Sequence, residues 1–145
     1  MTRDMLAFLQ ELEGSGARYM VIGAMALGFW GCPRTTGDLD LWVDGREAPL
    51  LMEAITRFFG GADLGLKEDD LKTPGVVQLG YAPNRIDLVI LEEASNFDEA
   101  WERAVRFPVG GVSVVVADRR DLIRLKEAFG RPQDLADVAA LKGQP

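Results

Sequence analysis

The sequence predicts a domain of the α/β or α+β class, and three observations carry that expectation. Stretches with apolar residues at helical spacing alternate with short apolar runs of strand length, as where DMLAFLQELE (4–13) gives way to ARYMVIG (17–23). Glycine and proline fall between these stretches, at Gly14, Gly16, Gly60, Gly61, Gly130 and Pro132. The chain has 145 residues, enough to bury one core, so 1–145 is expected to form a single domain.

Each element has its own justification. Leu6, Leu9 and Leu12 share a helix face over 4–13, and Gly14 and Gly16 stop it. Residues 17–23 read as a buried strand, 24–31 (AMALGFWG) as a short helix, and CPRTTG as a loop. DLDLWV (38–43) is the next strand, closed by Asp44-Gly45. A helix is expected over 46–61 and an irregular polar segment over 62–74, where Glu68-Asp69-Asp70 reads as a solvated loop. VVQLGYAPNRIDLVI (76–90) predicts a hairpin about Ala82-Pro83-Asn84. A helix over 97–107 follows, with Asn96 or Ser95 as its N-cap, then a β-rich segment over 108–117. Two helices, 118–130 and 131–141, meet at Gly130 and Pro132.

Composition removes whole classes of chemistry. There is no histidine, so Ser-His and Cys-His catalysis and histidine-bound zinc are out. Any metal must be held by carboxylates, which favours Mg²⁺ or Mn²⁺. The net charge of −7 argues against broad binding of a phosphate backbone. No apolar run nears the roughly 20 residues that span a bilayer. Acids among the apolar residues at the start of the chain argue against a secretory signal, and the lone Cys32 fits a reducing compartment. A cytoplasmic monomer or small homo-oligomer is the expectation.

One stretch resists a purely structural explanation. RTTGDLDLW (34–42) sets Asp38 and Asp40 one residue apart at a strand start, so both face the same way, about 7 Å apart along the backbone. Like charges repel, and folding alone gives little reason to align them. Upstream, Gly23-Ala24 marks a strand turning into a helix, where free backbone N–H groups meet phosphates. Arg34, Thr35 and Thr36 offer donors between the two. A third acid, Asp87, sits in RIDLVI on a face shared with Arg85 and Val89. If its strand lies beside the first, three carboxylates converge next to a phosphate cradle, a design for divalent metals in phosphoryl or nucleotidyl transfer.

VIGAMALGFWGCPRTTGDLDLWV (21–43) resembles the signature of the polymerase-beta-like nucleotidyltransferase superfamily: a hydrophobic residue, Gly, Gly or Ser, a gap, then Asp-x-Asp. The R-x-T-x-D-x-D-L form, here Arg34, Thr36, Asp38, Asp40 and Leu41, resembles small bacterial nucleotidyltransferase-like proteins, a group with toxin and antitoxin relatives. DLIRLKEAFGRPQDLADVAAL (121–141) is similar to their ending, a lysine-bearing helix followed by an Arg-x-x-Asp-x-x-Asp helix. The resemblance implies a small mixed sheet flanked by helices that binds an NTP through Mg²⁺. It makes Asp38, Asp40 and Asp87 the catalytic acids and metal ligands, with Asp87 helping to activate an acceptor hydroxyl. Gly23 and Ala24 would approach the triphosphate, Arg34 and Thr36 would contact the nucleotide, and Lys126 is the candidate for the phosphate tail. One position departs: Ala24 stands where the family has Gly or Ser, keeping the N–H but lacking a hydroxyl.

The function so implied is transfer of an NMP from an NTP to a hydroxyl of an RNA, a protein or a small molecule. A rival of another class is a nucleotidyltransferase-fold module without turnover, antitoxin-like and working through a protein partner. Glycosyltransferase and dehalogenase-type phosphatase readings of Asp-x-Asp fit poorly, the first on length and the second because Trp42 follows the pair. Duller readings stand beside the sharp ones. Asp87 pairs with Arg85, Lys126 and Arg131 are surface or helix-end charges, Asp134 and Asp137 serve the helix dipole, and the three tryptophans are core.

Overall fold

The computed structural model describes residues 1–92 and 96–143. Helix α1 (Arg3–Ser15) starts where the Thr2 hydroxyl accepts a hydrogen bond from the Met5 N–H and ends at Gly16, in the left-handed conformation. It buries Met5, Phe8, Leu9 and Leu12. Strand β1 (Tyr19–Ile22) runs into α2 (Gly23–Phe29), and β2 (Leu39–Val43) follows the expected loop. Asp44 then caps a single 3₁₀ turn, Gly45–Glu47, before α3 (Ala48–Phe58), so the expected helix over 46–61 is split near its start. Phe58 of α3 meets Phe8 of α1 edge-on at 5.4 Å, which packs the two helices together.

The remaining elements are α4 (Glu68–Lys72), β3 (Gly75–Leu79), β4 (Ile86–Ile90), α5 (Phe97–Arg103), β5 (Val105–Val109), β6 (Val112–Val116), α6 (Arg119–Phe129) and α7 (Pro132–Lys142). The strands form one mixed sheet in the order β3-β4-β2-β1-β6-β5. β2 is antiparallel to β1 and parallel to β4, and β1 is parallel to β6. Hairpins β3–β4 and β5–β6 form the two edges. All four residues of β1 are buried, as are Leu39, Leu41, Trp42 and Val43 of β2, so the middle of the sheet is the core. This is the α/β class expected, a mixed sheet flanked by helices.

Two further boundaries differ from expectation. The acidic run at 68–70 is the first turn of α4, where Asp70 accepts from the Lys67 N–H; five residues with one buried side chain, Leu71, show no periodicity to read. The helix expected over 97–107 stops at Arg103, and Val105–Val109 pairs with β6 across Gly110-Gly111. Ala104 and Phe107 continue the helical spacing of Phe97 and Ala100, but Phe107 packs instead against Phe29 and Trp30 at 5.0 and 5.7 Å. Asn96 stands at the N-cap of α5 without a side-chain cap bond, and Ser95 lies outside the described residues. Of the tryptophans, Trp42 is fully buried against Phe97, while Trp30 and Trp101 pack on the core partly exposed. Among the described residues, no helix is long and apolar enough to cross a membrane.

Candidate active site

The register of the central strands decides the site. β2 and β4 run parallel with Asp40 opposite Asp87, and β1 is antiparallel with Ile22 opposite Asp40. The end of β1, the start of β2 and the start of β4 therefore meet at one edge. Asp38 lies just ahead of β2, two residues from Asp40 and on the same face. Thr36 shapes the approach: its hydroxyl accepts from the Asp38 N–H at 3.2 Å and donates to the Asp38 carbonyl at 3.3 Å. That hydroxyl holds the loop.

Burial and repulsion act together on Asp40. Desolvation, then the charges of Asp87 and Asp38, push its pKa up to about 6, while Lys126 and Arg85 pull the other way. Asp87 is buried and is held by Arg85 in a fork, Nε to Oδ1 and Nη2 to Oδ2, each at 3.1 Å. Arg85 Nε also lies 3.9 Å from Asp38 Oδ2. Asp87 thus both neighbours Asp40 and pairs with Arg85.

Gly23 explains how Asp40 fits beside α2. Its φ is +71°, and a Cβ there would lie 2.2 Å from Asp40 Oδ2. Only a residue with no side chain allows that carboxylate to sit against the start of the helix. The next residue, Ala24, lines a cleft of about 400 Å³ together with Arg34, Thr36, Met25 and Phe29. Three of the residues expected to contact a nucleotide thus share one cleft, which Asp38, Asp40 and Asp87 do not line.

The C-terminal helices reach the same place. Lys126 on α6 donates to Asp137 Oδ2 at 3.0 Å and to Asp134 Oδ1 at 3.5 Å, and Arg34 from the β1–β2 connection pairs with Asp137 Oδ1. Asp134 and Asp137 are 1% and 3% exposed, so they are interior partners of these cations, beyond any service to the helix dipole. Lys126 is likewise mostly buried, whereas Arg131 is largely exposed and pairs with Asp134. The signal was present in the sequence: Asp134, Asp137, Val138 and Leu141 recur at i, i+3, i+4 and i+7, one face that carries two acids inward. The counter-ion role of Arg85 could be seen in Arg85-Ile86-Asp87, where i and i+2 share a strand face.

The donor set fits a hard divalent ion, because every group offered is a carboxylate oxygen and negative charge is in excess. As the side chains stand, no three His, Cys, Asp or Glu among the described residues are grouped as a closed metal site. Arg85 holds both oxygens of Asp87. A larger cavity, about 1050 Å³, opens at the far ends of β2 and β4, where Trp42, Asp44, Ile90 and Asp98 line it. Arg18 and Arg46 already neutralise Asp44 and Asp98 there. Uncompensated charge, more than volume, distinguishes the acidic end of the sheet.

The fold with this edge is that of nucleotidyltransferase-like proteins. The chain is similar to a crystal structure of an antigenic nucleotidyltransferase-like protein from Paracoccidioides brasiliensis, with a TM-score of 0.57, 16% identity, and coverage of 97% of this chain and 77% of that one. It is also similar to the lincosamide antibiotic adenylyltransferase LnuA in its lincomycin-bound crystal structure, with a TM-score of 0.53, 12% identity, and coverage of 99% and 98%. No family model matches the sequence, and no curated protein does.

Proposed function

We propose that this protein is a metal-dependent nucleotidyltransferase that moves an NMP from an NTP to an acceptor hydroxyl. The observation that carries the proposal is the pairing of Asp40 with Asp87 across parallel strands, with Asp38 on the same face and charge left over. Asp38, Asp40 and Asp87 would hold Mg²⁺ or Mn²⁺. Bound there, the ion supplies charge neutralisation for the triphosphate oxygens and for the pyrophosphate that leaves. Ala24 offers a backbone N–H, and Arg34 and Lys126 offer cations, to the anionic tail. Asp87 accepts the proton as the acceptor oxygen attacks the α-phosphorus and the bond to the β-phosphate breaks.

Among RNA, protein and small-molecule acceptors, the small molecule is favoured. The net charge of −7 disfavours a nucleic-acid backbone, and LnuA, of the same fold, is an adenylyltransferase of a small antibiotic. A second reading is a regulatory module without turnover, related to antitoxin components and acting on a protein partner. Ala24 and the hold of Arg85 on Asp87 support it.

Thermal shift distinguishes the two before any acceptor is known. Wild type and Asp38→Asn/Asp40→Asn are melted with each NTP, with and without Mg²⁺ or Mn²⁺. Ligand at a hundred times its Kd adds roughly 2.7 kcal/mol, several degrees for a domain of this size. A metal-dependent shift that the double variant loses is expected. A folded wild type that shifts with no nucleotide would leave the regulatory module standing.

A further inference from the structure

Arg85 is the cation closest to the acids, and the reaction above gives it no task. We propose that Arg85 is a built-in counter-ion of the acidic site that competes with the divalent cation for Asp87, so that the metal gains this ligand only when the guanidinium leaves. The inference rests on the metal-binding reading.

Four observations support it. Arg85 engages both Asp87 oxygens in a planar fork, the arrangement in which a guanidinium takes up the full acceptor face of a carboxylate. It reaches towards a second acid, with Nε 3.9 Å from Asp38 Oδ2, so one cation lies between two of the three proposed ligands. The Asp87 side chain is only 9% exposed, so little water can share its charge and a cation must do so. Arg85 itself is 37% exposed at the mouth of the site, which gives its side chain a way into solvent without opening the core.

The other cation that acts on Asp40 is differently placed. Lys126 is anchored by Asp134 and Asp137, two acids outside the proposed metal set. It can lower the charge at Asp40 while leaving every proposed ligand oxygen open. Arg85 cannot, because its hydrogen-bonded partner is a proposed ligand. A positive charge and a divalent ion sharing Asp87 repel, and with the carboxylate 9% exposed little water screens the two from each other. Arg85 therefore offsets part of the charge of the acid edge without metal, at a cost in metal affinity.

The test is Mn²⁺ binding without nucleotide, read from the free-ion EPR signal and by calorimetry, on wild type, Arg85→Gln, Arg85→Lys and Asp40→Asn. Arg85→Gln is expected to lower the Mn²⁺ Kd on the order of tenfold, the scale of one charge-assisted hydrogen bond. Arg85→Lys, which keeps the charge and loses the fork, is expected to lower it by about threefold, and it carries the test should Arg85→Gln fail to fold. Asp40→Asn should abolish binding. If wild type binds Mn²⁺ in an Asp40-dependent way and neither Arg85 variant tightens it, the counter-ion inference is overturned while the metal reading stands. If neither wild type nor a folded Arg85 variant binds Mn²⁺, both fall.

Discussion

Asp40 and Asp87 stand opposite each other on neighbouring parallel strands, 47 positions apart in the chain and one strand spacing apart in the fold. Neighbouring like charges weaken a fold, so the arrangement has measurable consequences.

The first concerns pH. Asp40 in the folded protein titrates at about 6, above its ordinary 3.8. The stability tied to its protonated form is fully present below about pH 4 and is lost as pH rises through about 6. Without metal, Asp40→Asn removes the repelling charge and is expected to stabilise the protein by about 1–2 kcal/mol at pH 7.5, a figure discounted for solvent screening. The gain should vanish near pH 4. Urea denaturation at several pH values checks both sign and window.

Gly23 makes the second case. Gly23→Ala places a methyl group in contact with the Asp40 carboxylate and forces a left-handed φ on a residue with a side chain. A loss of at least about 1–2 kcal/mol is expected, together with loss of metal-dependent nucleotide binding as Asp40 is displaced. Chemical denaturation and thermal shift with Mg²⁺ and NTP read the two effects separately.

Asp137 ties the Arg34 loop to α6, since Arg34 and Lys126 both reach it. Asp137→Asn is expected to cost about 2–3 kcal/mol, the scale for hydrogen bonds to charged groups in a buried setting. A double-mutant cycle with Arg34→Gln should show non-additivity, because the two side chains share one bond. Strict additivity would mean that the pair does not persist in solution.

Ala24 lines a cleft with Arg34 and Thr36 and lacks the hydroxyl that the related signature allows. Ala24→Ser is expected to tighten NTP binding several-fold, about 1 kcal/mol for one added hydrogen bond, with little change in stability. Isothermal calorimetry with Mg²⁺ and each NTP measures it, and an unchanged or weaker affinity would remove Ala24 from the phosphate contacts.

The sequence alone determined the class of fold and the identities of the candidate groups. Periodicity places most helices and strands because side-chain direction is local: a residue's face follows from its position in a period of 3.6 or 2. Asp38 and Asp40 share a face for that reason, and Arg85 meets Asp87 for the same one. Val105–Val109 escaped the reading because Phe107 satisfies the helical spacing of Ala100 and Ala104 as well as strand alternation with Val105, and only pairing with β6 chooses between them. Tertiary structure decided everything that joins distant segments. It set β4 beside β2 in the register that opposes Asp87 to Asp40, and it folded α7 back so that Asp137 receives Arg34 from more than a hundred positions away. Such contacts depend on strand order and helix packing, which bury one face of each element against another, and no local spacing encodes which partner that face will find.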